Sequence, residues 1–164
     1  KKIVERSLYY EPFHLFASSK HPLSKKTKVR EDDLNIEEIW MLNKGNCFRD
    51  QVLNICQNRK SSNVSNPINF ESGNFETLKN MVLQGNGYTL LPQMAVNQLS
   101  PSHKKLTRPF YRPTPTREVS IVYSKNIIKE KILNALEEEI LASIPDELRL
   151  FKKRDQQIIE IDPQ

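Results

Sequence analysis

Apolar and polar positions alternate from residue 11 onward. Phe13, Leu15 and Ala17 fall on one side of an extended segment, His14, Phe16 and Ser18 on the other, and His21-Pro22 ends the run. This pattern predicts a strand. After a charged loop and a short helix signal over 30–37, the run IEEIWML predicts a second strand, closed by Gly45. The period then changes. Phe48, Val52, Ile55 and Cys56 recur at helical spacing over 47–59, and Asn46 is placed to cap that helix. A short third strand is predicted at INFES (68–72). Phe75, Leu78, Met81 and Val82 then mark a helix stopped by Gly85, and YTLLP a strand closed by Pro92. Residues 97–117, with Pro101, Pro109, Pro113 and Pro115, read as irregular. Val119, Ile121 and Tyr123 alternate as another strand. Ile128, Ile132, Ala135, Leu136 and Ile140 give a helix over 127–144. Beyond Pro145 the chain turns polar, and a loosely packed tail is expected. Strands that alternate with helices in this order predict an α/β fold.

Composition narrows the class. At 164 residues the chain fits one domain or two small lobes. No apolar run approaches the roughly 18 residues a membrane helix needs, so no membrane partner is expected. The start, KKIVERSLYY, has neither an initiator Met nor a signal-peptide core, and reads as a piece of a longer protein. The net charge of +5 is scattered through mixed-sign runs such as SKKTKVRED, which argues against this segment itself gripping nucleic acid. His14, His21 and His103 form no metal-ligand spacing with a cysteine, so neither metal nor cofactor is expected. Two cysteines are too few for a disulfide-stapled secreted scaffold, and a reducing, cytoplasmic setting is the default.

Those two cysteines, Cys47 and Cys56, carry the candidate chemistry. In a helix, nine residues rise about 13.5 Å and turn through about 900°, half a turn out of phase. A disulfide needs Cα atoms about 4.4–6.8 Å apart. While the helix stands, the two sulfurs cannot bond. Cys56 shares the apolar stripe and should be buried. Cys47 opens the first turn near the surface, where the helix dipole and the cations Lys44 and Arg49 favour a thiolate, opposed by Asp50. Cys47 is then the more reactive sulfur and Cys56 the resolving one. On spacing alone the pair reads as ordinary core thiols, since free cysteine is among the most buried residue types and two of them in one helix are common.

Read together, the motifs point further. GNCFRDQVLNIC resembles the G-[HN]-C-x-R-D-Q-x(4)-C segment of OxyR-type peroxide sensors, within the LysR family of bacterial transcription regulators. FETLKNMVLQGNGYTLLP is similar to that family's helix, Gly-x-Gly turn, short strand and Leu-Pro. YYEPFHLFASSKHPL resembles the strand entering the second effector lobe, and RPTPTREVSIVYSK the strand returning from it.

The resemblance implies a periplasmic-binding-protein-like (type II) regulatory domain, a mixed sheet flanked by helices. Residues 8–118 would form the second lobe with the redox cysteines, 119–144 a returning strand and helix belonging to the first lobe, and 145–164 a polar tail. The winged helix-turn-helix and the first part of the first lobe would lie outside this chain. It implies a switch rather than an enzyme: hydrogen peroxide oxidises Cys47, Cys56 condenses with it, and the Cys47–Cys56 disulfide refolds the helix and alters subunit packing in dimers and tetramers. DNA binding through the winged domain, and RNA polymerase contact by an activator in the oxidative stress response, belong to the full-length protein. The supporting residues would be Asn46, Arg49 as a cation near the sulfur, Asp50 as its orienting partner, and Arg117, which falls where the family places an arginine on the returning strand. Glu76 and Thr77 are read as capping or surface residues. Asn46 stands where many relatives have His, and Asn does not titrate near neutral pH. The alternative is a LysR-family effector domain that binds a small organic metabolite, with structural cysteines. That reading has no need of Cys56.

Overall fold

The computed structural model describes residues 3–57, 71–85, 87–125, 129–149 and 155–159. In chain order these form β1 (Ile3–Ala17), β2 (Met41–Leu42), α1 (Cys47–Gln57), β3 (Glu71–Ser72), α2 (Phe75–Gln84), β4 (Tyr88–Pro92), α3 (Gln93–Asn97), α4 (Pro101–Lys104), β5 (Thr107–Pro109), β6 (Thr114–Ser124), α5 (Glu130–Ser143), α6 (Asp146–Arg149) and β7 (Gln156–Ile158). Short 3-10 turns at Pro22–Lys25 and Glu31–Asp33 fill the loop after β1.

β1 organises the molecule by changing partners midway. Its first part pairs antiparallel with β6, from Ile3 opposite Ser124 to Pro12 opposite Thr116. Its last part runs antiparallel to both β4 and β5. Pro12, which has no N–H to donate, stands at the changeover. Up to Tyr10 the strand is a half-exposed ribbon; from Glu11 to Ala17 it is almost wholly buried. The predicted alternation holds there, but both faces are covered. Phe13, Leu15 and Ala17 join the larger core with Phe48, Val52 and Ile55 of α1. Phe16 joins a second core with Val82 of α2 and Leu91 of β4. A strand enclosed between two helical layers needs apolar residues on both sides.

The elements differ from the sequence expectations in three places, and some expected residues lie outside those described. Of IEEIWML only Met41–Leu42 is a strand, paired parallel with β3, while Ile39 makes a single bridge to Tyr88. Residues 68–70 of the third predicted strand, 58–59 of the first helix and 127–128 of the last lie outside the described residues. The stretch expected to be irregular holds α4, β5 and the start of β6, because Thr107–Pro109 pairs with His14–Phe16 and Val29 N–H donates to Pro109 O at 3.0 Å. The expected loose tail is partly built in. β7 lies parallel to β6, Ile159 N–H donates to Thr116 O at 2.8 Å, and Leu148 and Ile159 are buried. Their apolar side chains outweigh the polar composition around them.

The turn between α2 and β4 is fixed by Trp40. A Cβ added to Gly87 would fall within contact distance of Trp40 Nε1 and 2.5 Å from the Glu38 carbonyl oxygen. The Glu38 carbonyl is held by the Tyr88 backbone N–H at 3.2 Å, and the Trp40 backbone N–H donates to Tyr88 O at 2.8 Å, which fixes the backbone that carries the indole. Gly87→Ala should therefore lower stability by about 1–3 kcal/mol, read as a fall in the urea midpoint at constant m-value.

Candidate functional site

The site is built at the N-terminal end of α1. Gly45 turns the chain in the left-handed region, φ 84°, a conformation glycine adopts without strain. Asn46 then caps the helix: its Oδ1 accepts the Phe48 N–H at 3.0 Å and its carbonyl accepts the Arg49 N–H at 2.9 Å. The cap role expected from sequence is observed.

Cys47 and Cys56 sit in the same helix, and both are free thiols. Their surroundings differ as the opposite-face geometry requires. Cys47 is exposed; Cys56 is half-buried and packs against the larger core. Burial, with the Glu31 charge adding to it, pushes the Cys56 thiol up to about 12. Within intact α1, Cys56 is therefore protonated at neutral pH and held away from Cys47.

Phe48 anchors the first turn. Its ring stands 5.4 Å from that of Phe13 and 4.9 Å, edge-on, from that of Phe75, centroid to centroid. Arg117 closes the same corner. Its guanidinium carbon lies 5.8 Å from the Phe48 ring centroid, within cation–π range. Its Nε and Nη2 reach Glu11 Oε2 at 2.7 and 2.6 Å. Glu11 is fully buried, and its other oxygen accepts the Met94 N–H at 2.6 Å. Sequence reasoning placed Arg117 near the thiol and missed Glu11. The available signal was an acid standing alone at the head of an apolar run, but its partner depends on a β1–β6 register that spacing does not give.

The other expected residues have plainer places. Arg49 and Gln51 are buried at the first turn of α1, and Asp50 is half-buried beside them. Thr77 N–H donates to Asn74 Oδ1 at 2.8 Å and Glu76 pairs with Lys79, so the α2 start is a capped surface turn, as expected. His14, lowered by burial, is hydrogen-bonded to Gln93 at 2.5 Å.

The family described as LysR substrate binding domain matches residues 1–143. The hydrogen peroxide-inducible genes activator of Dickeya chrysanthemi is 35% identical over 120 residues, covering 73% of this chain and 38% of that protein. The DNA-binding transcriptional dual regulator OxyR of Escherichia coli K12 is 33% identical over the same length and coverage. The chain thus spans well under half the length of the curated relatives it matches. Among solved structures, reduced OxyR from Porphyromonas gingivalis superposes with TM-score 0.81 at 31% identity, covering 95% of this chain and 70% of that one. The reduced OxyR regulatory domain from Pseudomonas aeruginosa gives 0.69 at 30% identity, covering 85% and 66%. With its mixed sheet flanked by helices and its cysteine pair on α1, this chain belongs to the LysR substrate-binding-domain family and is an OxyR-like regulatory domain.

Proposed function

We propose that this domain senses hydrogen peroxide through reversible formation of a Cys47–Cys56 disulfide, within a transcription regulator of the cytoplasm. The observation that carries the reading is the contrast between the two thiols on one helix: one exposed at the first turn, one half-buried against the core and half a turn out of phase.

The chemistry balances in two steps. The Cys47 thiolate attacks a peroxide oxygen, the O–O bond breaks, and hydroxide leaves a sulfenic acid on Cys47. The Cys56 sulfur then displaces the sulfenic oxygen as water, forming the S–S bond. The second step requires α1 to open. Opening also removes the burial that pushes the Cys56 thiol up, so approach of the resolving thiol and an increase in its thiolate fraction come together. Arg49 supplies a cation near Cys47 with Asp50 orienting it, and Arg117 supplies a second from β6. Asn46 contributes its cap and carries no titrating charge.

The refolding of α1 is the bistable element, and its effect is to change how subunits pack in a dimer or tetramer and how DNA-binding heads are spaced. On this reading residues 8–118 are the second lobe, and β6 from 119 with α5 belong to the first. Support comes from α5 itself. It has no buried residue, Ile132 and Leu136 are 60% and 48% exposed, and Arg6 ties it to the ribbon through Glu137 at 2.6 Å. Activation through RNA polymerase is part of the same proposal for the full-length protein.

Amide hydrogen exchange tests the refolding. In the reduced chain, amides from Asn54 through Gln57 should be protected by α1; after one equivalent of peroxide that protection should be lost while β4 stays protected. Unchanged protection in a chain that has consumed peroxide at its cysteines contradicts the switch. A metabolite sensor, by contrast, would keep α1 intact and respond alike with or without Cys56.

A further inference from the structure

We infer that Glu11 is a positioning residue of this switch: its buried carboxylate holds the Arg117 guanidinium against the Phe48 ring and so sets how readily helical α1 gives way to the disulfide. The inference rests on the disulfide reading proposed above.

Among the described residues Glu11 is the one acidic side chain with no exposed surface. A carboxylate enclosed in this way must be paired and hydrogen-bonded to persist. Both of its oxygens are engaged. Oε1 takes the Met94 N–H at the first turn of α3, which stops the carboxylate from swinging. Oε2 takes Nε and Nη2 of Arg117, its cross-strand partner in the β1–β6 register. The Arg117 side chain is still 27% exposed, so without Glu11 its flexible stem would let the guanidinium extend into water. With Glu11 the planar group stays over Phe48.

Phe48 is the second residue of α1, and its ring reaches Phe13, Phe75 and Arg117 only while the first turn is helical. Contacts present in the reduced fold and lost in the disulfide form favour the dithiol and raise the reduction potential. The Glu11–Arg117 pair itself lies on β1 and β6 and persists in both forms, so its own contribution to stability cancels. Only the share passed on through Phe48 biases the switch.

The test is the thiol–disulfide equilibrium in glutathione buffers for wild type, Glu11→Gln, Phe48→Leu and the double variant. Glu11→Gln keeps the shape and removes the charge. It should shift the equilibrium toward the disulfide about tenfold, a potential about 30 mV more negative. Phe48→Leu should shift it the same way, and the double variant should match Phe48→Leu alone, because Glu11 then has no ring to act through. Arg117→Lys keeps a cation for Glu11 but loses the planar face, so it should give the shift even where Glu11→Gln folds poorly. A wild-type midpoint in Glu11→Gln or in Arg117→Lys overturns the inference, as does simple addition of the two shifts in the double variant. A wild-type chain that forms no Cys47–Cys56 bond in the most oxidising buffer overturns instead the reading beneath it.

Discussion

In Cys56→Ser, a peroxide pulse stops at the sulfenic acid of Cys47: the chain gains one oxygen, forms no intramolecular disulfide, and stays trapped by a dimedone-type reagent. Two features make this the largest chemical effect. Cys47 is the exposed thiol of the pair, so oxidant reaches it first. The sulfur that would resolve it sits in the same helix, packed on the core and protonated, and serine cannot replace it as a nucleophile toward sulfenic sulfur. Mass spectrometry after a near-stoichiometric pulse separates the outcomes. Oxidation of Cys56→Ser elsewhere than Cys47 contradicts the assigned roles. The complementary Cys47→Ser should keep its Cys56 thiol through the same pulse.

Ile55→Ala should destabilise the reduced chain by about 2–5 kcal/mol, the cost of truncating an enclosed aliphatic side chain. Ile55 is fully buried in the larger core, one turn after Val52 and directly before Cys56 in α1. The same substitution should cost far less in the oxidised chain, because the proposed disulfide form dismantles the turn that holds Ile55 in place. Urea unfolding of both redox forms of both proteins gives the four free energies. Equal losses in the two forms would mean that α1 stays docked after oxidation. The substitution also weakens the dithiol fold relative to the disulfide, so Ile55→Ala should oxidise under milder conditions than wild type.

Much of this architecture is legible in the residues because periodicity reports burial. The stripe Phe48, Val52, Ile55 and Cys56 gave α1 its face and left Cys47 outside, and that contrast alone separated the two sulfurs. Asn46 announced the cap through its side-chain chemistry. Where the chain is held by pairing rather than by a stripe, spacing is mute. Thr107–Pro109 is a strand only because β1 offers it an edge, and β7 only because β6 does. Four prolines in 97–117 suggested irregular backbone, yet Pro109 and Pro115 sit within strands at β5 and β6. Glu11 is the instructive miss in the site. Its meaning lies in three contacts to residues 83 and 106 positions away, and no local pattern contains them.

The helical α1 with its two free thiols leaves one decisive measurement: disulfide mapping of wild-type chain after one equivalent of hydrogen peroxide. The expected result is a loss of about 2 Da, with Cys47 and Cys56 recovered in one cross-linked peptide pair within a single chain. If peroxide is consumed while both thiols still alkylate, or if Cys47 is recovered bonded only to another copy, the intramolecular switch is wrong and Cys56 is a core residue.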